Sequence, residues 1–314
     1  LAPQPRGEAV LCAAEPIRVR AERPCVSVTP HGDGDLYDFG FNSAGVCRLK
    51  VNGTRGQTIV LEHGEYIKGG KFSNQNLYFD HHAHYADWIQ RLEYTCKGGQ
   101  EVYGPRFPDY GFQYVLVHGI PPDQATPELI TYLEMNSALP ERGGFECSDA
   151  VANRLFDAVR QSDLSNFYYF PTDCPHREKN GWTGDAALSA EQMLLQFGTE
   201  KSLTQWLNCI RRAQSENGML PGIVPTSGWG YDWGNGPAWD CVLTILPSEI
   251  YRFSGDTQVL EDNAHAIFRY LLYLSTKRNA DGLLAFGLGD WCPTRRPFDD
   301  YRAPLEFTDT VISM

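Results

Sequence analysis

The chain has 314 residues, is 42% hydrophobic and 21% charged, and carries a formal net charge of −12. This length is typical of two domains, because one hydrophobic core rarely grows beyond about 250–300 residues. The acidic balance argues against a nucleic acid or an anionic membrane surface as partner, and no apolar run approaches the roughly 20 residues of a spanning helix. A neutral substrate such as a glycan is compatible with this charge.

The first part of the chain has the alternating pattern of short β-strands. Between residues 26 and 117, apolar residues alternate with polar ones around Cys47, Ile59 and Phe112, and glycine-rich turns separate these runs. Several short strands punctuated in this way predict an antiparallel β-sandwich.

A histidine-rich run, residues 81–84, lies within this region and raises the question of a metal site. His82 and His84 would share one face of an extended segment, so two metal ligands are geometrically possible. No third ligand with clear spacing follows. We interpret the run as a polar loop, and we predict neither a metal nor another cofactor.

From about residue 145 onward the apolar residues take on helical spacing. Ser148 is a candidate N-cap for the first helix, and later helices are expected at about 185–197, ending at Gly198, and at about 239–253, with Pro247 inside. The predicted apolar faces of three helices are Val151, Leu155, Ala158 and Val159; Leu203, Trp206, Leu207 and Ile210; and Leu260, Ala264, Ile267, Leu271 and Leu274.

The change of period divides the chain into four expected parts. These are a lead segment at residues 1–25, the β-sandwich at 26–130, a linker at 131–144 and a helical domain at 145–314.

Long connections between the predicted helices are rich in glycine, tryptophan and aspartate. They cover residues 171–184, 216–238 and 280–305. Loops longer than about 12–15 residues in a compact domain are usually functional or disordered, and the aromatic residues here argue against disorder. The sequence therefore predicts that the functional groups lie on these loops.

The nine cysteines are scattered, and no Cys-x-x-Cys pair occurs. This pattern argues against a zinc ribbon and favours free, mostly buried thiols. A disulfide in an oxidising compartment stays open as an alternative.

The densest chemistry lies in residues 173–185, Asp-Cys-Pro-His-Arg-Glu-Lys-Asn-Gly-Trp-Thr-Gly-Asp, which we call the signature segment. It combines three carboxylates, two cations, one histidine and one tryptophan. A site that cleaves sugars needs a carboxylic acid, charged neighbours that set its ionisation and an aromatic face that holds a sugar ring. The segment has all three.

The signature segment resembles the active-site signature of bacterial α-L-rhamnosidases, glycoside hydrolase family 78. Further similarities follow in the same order as in that family and extend over about residues 25–314. They are residues 105–115, similar to the last strand of the β-sandwich; 239–240 and 251–256, similar to the next barrel helix; and 287–291 and 307–310, similar to a later loop and helix start.

This resemblance implies a concanavalin-like β-sandwich followed by an (α/α)6 barrel, and inverting hydrolysis of terminal α-L-rhamnosyl residues. The helix count reaches about five, with a sixth starting near Glu306, so we expect residues 145–314 to be the N-terminal part of an incomplete barrel and the chain to be a fragment of a longer enzyme. The second catalytic carboxylate, the general base, is then expected C-terminal to Met314.

By resemblance, Glu178 is the general acid. The alternative is a surface carboxylate that pairs with Lys179 or Arg177. Asp173 and Asp185 are suited to accept hydrogen bonds from sugar hydroxyls, although Asp185 or Thr183 would also serve as a helix cap.

Other members of the signature segment have weaker or divided interpretations. Arg177 would bind a hydroxyl or orient a carboxylate, and a structural salt bridge is an equal alternative. Trp182 is a candidate platform for the sugar ring. We interpret Cys174 as a buried small residue rather than a nucleophile, and His176 as a weak candidate.

Loop tryptophans outside the signature segment complete the candidate site. Trp233 and Trp291 are each adjacent to an aspartate in the chain, which supports sugar contact, with core packing as the alternative, and Asp290 is a further candidate for substrate binding. Asp240 would reach the site or serve as an N-terminal dipole partner of its helix.

The expected partner is a rhamnose-containing glycan or glycoside. Two alternatives stay open: another inverting (α/α)6 glycosidase that acts on a different neutral sugar, and a non-catalytic carbohydrate-binding protein. The sequence decides neither the oligomeric state nor the compartment. In a bacterium, a periplasmic or extracellular location and a cytoplasmic location both stay open.

Overall fold

The computed structural model of the chain describes residues 10–74, 89–226, 228–231 and 235–288, and the backbone of residues 311–313. The chain divides into two compact units. The strand unit comprises Pro16–Ala138 and Gly143–Asp185, and the helical unit comprises Leu1–Glu15, Leu139–Arg142 and Ala186–Met314. The predicted fold class, antiparallel β-structure followed along the chain by helices, is confirmed.

The strand unit is built on one large antiparallel sheet and two short strand pairs. Its strands are β1 (Ile17–Pro24), β2 (Ser27–His31), β3 (Gly34–Gly53), β4 (Thr58–Gly64), β5 (Tyr66–Lys68), β6 (Lys71–Ser73), β7 (Arg91–Thr95), β8 (Gly99–Tyr103), β9 (Tyr110–His118), β10 (Ile130–Ser137), β11 (Phe167–Tyr168) and β12 (Phe170–Pro171). The sheet order is β1-β10-β3-β9-β4-β7, and β2 and β8 also pair with β3.

The long strand β3 organises this sheet. Its first part pairs with β2 and β9, its later part pairs with β10 and β8, and the pairing with β9 shifts register between Asp38 and Ser43. A Cβ atom at Gly45 would lie 2.0 Å from the carbonyl oxygen of Leu133 in β10, so only glycine permits this close approach.

The core of the strand unit follows the predicted period of two. Cys47, Leu49 and Val51 are buried on one face of β3, and an aromatic pair, Phe112 and Tyr132, stacks with ring centroids 4.0 Å apart. Burying each of these large side chains contributes roughly 1.5–3 kcal/mol. This core holds strand β9 in place within the sheet.

Two strands lie where no sandwich strand was expected. β1 falls within the predicted lead segment, and it pairs with β10, which occupies the first half of the predicted linker. Ile17, Val19 and Ala21 alternate with charged residues in β1, so the period of two was present in the sequence and was missed. Residues 145–185, expected in the helical domain, belong to the strand unit.

The helices are α1 (Ala150–Ser165), α2 (Thr183–Gln196), α3 (Glu200–Ala213), α4 (Pro237–Asp240), α5 (Val242–Ser254) and α6 (Gln258–Ser275), and a last strand pair is formed by β13 (Leu283–Ala285) and β14 (Val311–Ser313). The helix predicted at 239–253 is divided at Cys241 into α4 and α5, with Pro247 inside α5. Strand β14 lies where a sixth helix was expected to run on from Glu306. That expectation was wrong at these positions, since β-branched residues favour an extended backbone.

Helix α1 forms as predicted, but its cap and its buried face differ. Asp149, not Ser148, is the N-cap, and its Oδ1 accepts from the amide of Val151 at 2.7 Å. Val151 and Leu155 are 73% and 63% exposed. The face toward the sheet is polar, because the buried carboxylate of Glu134 in β10 needs donors such as Gln161, whose Nε2 lies 3.1 Å from Oε1.

The apolar faces of the later helices are partly as predicted. All four predicted residues of α3, from Leu203 to Ile210, are buried. In α6 the buried stripe is displaced by one position, because Asn263 is buried: it accepts from Arg211 Nη1 at 2.9 Å and donates to the carbonyl of Val259 at 2.7 Å. Ala264 and Leu271, which were predicted to face the core, are exposed.

Eight cysteines lie in the described part of the chain, all as free thiols, and Cys25, Cys47 and Cys96 among them are buried. No helix among the described residues is both long and apolar enough to cross a membrane.

Candidate active site

The signature segment forms a loop that closes on itself between β12 and α2. The amide of Asp173 donates to the carbonyl of Asn180 at 3.0 Å, and the amide of Asn180 donates to Asp173 Oδ1 at 2.8 Å. These two bonds join the ends of the loop, so Asp173 shapes the loop in addition to its predicted role in binding. Sequence reasoning missed Asn180, although an Asn-Gly pair is a common turn signal.

Cys174 lies inside the loop and bonds to two of its members. Its thiol donates to Asp173 Oδ2 at 3.0 Å, and its Sγ accepts from the amide of Glu178 at 3.2 Å. Burial raises the pKa of Cys174 to about 11, so the sulfur stays a neutral thiol at physiological pH. This arrangement supports the interpretation of Cys174 as a packing residue, because a nucleophile needs the thiolate.

Glu178 is mostly buried and is not a surface residue, since only 13% of its side chain is exposed. Its Oε2 accepts from the indole Nε1 of Trp182 at 2.8 Å, and its Oε1 lies 3.5 Å from Nη2 of Arg177. The alternative pairing with Lys179 is not formed, because the Lys179 ammonium bonds to Asp109 instead.

Asp173 and Asp185, the other two carboxyls of the signature segment, hold their protons more tightly than usual. Burial raises the pKa of Asp173 to about 6, and the nearby charges of Glu178 and Asp185 add to this effect. The pKa of Asp185 is also raised, by partial loss of solvent and by the charge of Glu178. Asp185 lies in the first turn of α2, where the helix dipole favours a negative charge and so opposes this rise.

His176 faces the strand unit. Its Nδ1 lies 3.6 Å from Oε1 of Glu65, and burial lowers its pKa. The neutral ring therefore predominates at physiological pH, so His176 anchors the loop more readily than it serves as a proton donor.

Asp240 belongs to the helical unit and is fully buried there. Its Oδ2 accepts from the hydroxyl of Tyr270 at 2.8 Å and from the amide of Gly236 at 3.1 Å, and burial raises its pKa to about 7. These bonds favour a role in fastening the segment before α4.

Several predicted residues lie outside the described part of the chain: Trp233, Asp290, Trp291, the histidine run at 81–84 and residues 307–310. Among the described residues, no three histidine, cysteine, aspartate or glutamate side chains are grouped to hold a metal ion.

The described site therefore brings together five of the eight predicted residues, four on one loop of the strand unit and one in the first turn of α2: Asp173, Arg177, Glu178, Trp182 and Asp185. General acid catalysis on a sugar needs a positioned carboxyl group, and Glu178 is a candidate, with an indole N–H and a guanidinium beside it.

Comparison with known proteins agrees with this chemistry. The family model described as the bacterial alpha-L-rhamnosidase 6 hairpin glycosidase domain matches residues 140–311, and the model of the bacterial alpha-L-rhamnosidase concanavalin-like domain matches residues 31–136. The chain is 35% identical over 283 residues to an alpha-L-rhamnosidase of Streptomyces avermitilis, a match that covers 88% of this chain and 26% of that relative.

Two solved structures are similar to the chain at the level of fold and sequence. One is the S. avermitilis alpha-L-rhamnosidase complexed with L-rhamnose, with a TM-score of 0.81 and 33% identity over 90% of this chain and 27% of that one. The other is the alpha-L-rhamnosidase of Dictyoglumus thermophilum, with a TM-score of 0.81 and 32% identity over 91% of this chain and 32% of that one. The chain belongs to the bacterial alpha-L-rhamnosidases of glycoside hydrolase family 78, and it spans about a quarter to a third of the length of these relatives.

Proposed function

We propose that the protein of which this chain forms part hydrolyses terminal α-L-rhamnosyl residues from glycosides or polysaccharides with inversion of configuration. Glu178 is the general acid in this proposal. The observation that carries it is the hydrogen bond from Trp182 to Glu178 Oε2 within a loop of three carboxyls. Oε2 accepts from the indole, and Oε1, which lies 3.5 Å from Arg177 Nη2, is the oxygen that would face the departing group.

The reaction would begin with a rhamnoside bound over the signature segment. Glu178 would deliver its proton to the departing glycosidic oxygen while water attacks the opposite face of the ring. Asp173 and Asp185 would accept hydrogen bonds from the ring hydroxyls. A second carboxylate would activate the water.

The choice of rhamnose as the sugar rests on the relatives. The S. avermitilis enzyme to which the chain is 33% identical was solved with L-rhamnose bound. Trp182 is half-buried in the segment, and an indole is suited to contact with the apolar side of a pyranose.

The proposed function is tested with the full-length protein on a panel of p-nitrophenyl glycosides. We expect hydrolysis of the α-L-rhamnoside and at least a hundredfold lower kcat/KM on the other neutral sugars. Proton NMR of the first product should show the anomer opposite to that of the substrate. Preference for another sugar would favour a different inverting glycosidase, and rhamnose binding without cleavage would favour a carbohydrate-binding protein.

Trp182 gives a test of the site that separates stacking from hydrogen bonding. Trp182→Phe retains an aromatic face but removes the donor to Glu178, so we expect kcat to fall about tenfold with little change in KM. Trp182→Ala also removes the face, and we expect KM to rise in addition. Unchanged kinetics in both variants would assign Trp182 to packing alone.

A further inference from the structure

The residue next to the general acid has an unusual backbone. Lys179 has a φ of 55°, in the left-handed region that non-glycine residues rarely adopt. At this bend the Glu178 carboxyl bonds to Trp182, whereas the Lys179 ammonium donates to the carbonyl oxygen of Asp109. The ammonium also lies 3.7 Å from Asp109 Oδ2 and 5.4 Å from the centroid of the Tyr110 ring. The two adjacent side chains are therefore held by different partners.

Lys179 contacts the residues at the start of strand β9, and other residues of the strand unit hold these in place. The amide of Gly111 donates to the side chain of Gln90 at 3.1 Å, and the Tyr110 ring stacks on His63 with centroids 4.2 Å apart and planes 15° apart. His63 is fully buried, and burial lowers its pKa to about 3. Its neutral ring therefore does not repel the Lys179 ammonium at any physiological pH.

A second contact seats the loop on the same strand. A Cβ atom at Gly111 would lie 2.8 Å from Cγ of Pro175, a residue of the signature segment. His176 approaches Glu65, which directly precedes β5, as a third contact. The loop thus rests on the strand unit at Pro175, His176 and Lys179, on both sides of Glu178.

We propose that Lys179 is a positioning residue. Through its bond to Asp109, the sheet of the strand unit sets the direction of the Glu178 carboxyl. This inference rests on the proposed function of Glu178. Pro175 and His176 hold the loop on the side that precedes Glu178, and the Lys179 ammonium at Asp109 holds it on the side that follows. In this proposal the Lys179 contact keeps the Glu178 carboxyl against Trp182. A displacement of about 1 Å in a catalytic group is enough to cost on the order of a hundredfold in rate.

Three substitutions in the full-length protein separate this role from a purely conformational one. Lys179→Met keeps the side-chain volume and loses the ammonium. Lys179→Gly also loses the ammonium, but it adopts the left-handed backbone without strain. Lys179→Arg keeps a charge that can reach Asp109. We expect kcat to fall about 10- to 100-fold in the Met and Gly variants, KM to change less than threefold, and the Arg variant to recover part of kcat.

The control is Arg252→Met, which removes an ion pair of 2.7 Å with Glu249 on α5 and should leave kcat unchanged. A wild-type kcat in both Lys179→Met and Lys179→Gly would overturn the proposal. Wild-type kcat in Lys179→Gly alone would also overturn it, because the residue would then matter only for the bend.

Amide hydrogen exchange keeps this inference separate from the proposed function. If the wild-type protein cleaves no glycoside, the proposed function fails, but the positioning contact is still measurable. We expect the amides of residues 173–182 to exchange at least tenfold faster in Lys179→Met than in the wild type, with exchange in α3 unchanged. Equal exchange of these amides in the two proteins would show that Lys179 does not hold the loop.

Discussion

Glu178→Gln in the full-length protein is expected to lower kcat on an alkyl or sugar rhamnoside by about 10²–10⁴-fold, with KM nearly unchanged. Glutamine keeps the shape of the side chain, and its carbonyl oxygen can still accept from Trp182 Nε1. It has no proton to deliver to the departing oxygen. The loss therefore falls on the chemical step and not on binding.

A leaving-group series distinguishes this explanation from a general disturbance of the site. The dinitrophenolate of a dinitrophenyl rhamnoside leaves without protonation. Glu178→Gln should therefore lose far less activity on this substrate than on an alkyl rhamnoside. Glu191→Gln, an exchange of the same chemistry at an exposed position of α2, serves as the control and should behave as wild type. An equal loss on both substrates would contradict the role of proton donor.

Asp240→Asn is expected to stabilise the protein at pH 8 and to have little effect at pH 4. Burial raises the pKa of Asp240 to about 7, well above the ordinary value of 3.8. The folded state therefore binds more protons than the unfolded state between about pH 4 and 7, and this contribution to stability is lost as pH rises through that window. Asparagine does not titrate, so its advantage above pH 7 is on the order of 2–4 kcal/mol.

The amide in Asp240→Asn can still accept from Tyr270 and Gly236 through its oxygen, so the packing of α4 should persist. The measurement is the thermal midpoint of the full-length protein at pH 4, 6 and 8. Asp281→Asn, at an exposed turn before β13, is the control and should follow the wild type at each pH. A variant less stable than wild type at pH 8 would show that Asp240 is stabilised as the carboxylate.

The fold was predictable from the sequence for strands and helices that have one apolar face and one polar face. The last part of strand β3 and helix α3 meet this condition, and the residues predicted to be buried there are buried. Helix α6 did not, because its core face includes Asn263, whose burial depends on a hydrogen bond from Arg211 that no local pattern reveals. Ser148 and Asp149 are both good caps, and local sequence does not choose between them.

The candidate site was predictable to the extent that its chemistry is local in the chain. The three carboxyls, Arg177 and Trp182 fall within one short segment, so their proximity follows from the sequence alone. The bond between Lys179 and Asp109 joins residues 70 positions apart. Their meeting depends on where β9 starts in the sheet, which spacing and composition do not specify.

The most direct test of proton delivery by Glu178 is a crystal structure of the full-length Glu178→Gln variant with an intact rhamnoside bound. The account predicts that the amide at position 178 lies about 2.6–3.2 Å from the glycosidic oxygen, with Trp182 still donating to its other side. A side chain turned away from the sugar, with another acidic residue at that oxygen, would contradict it.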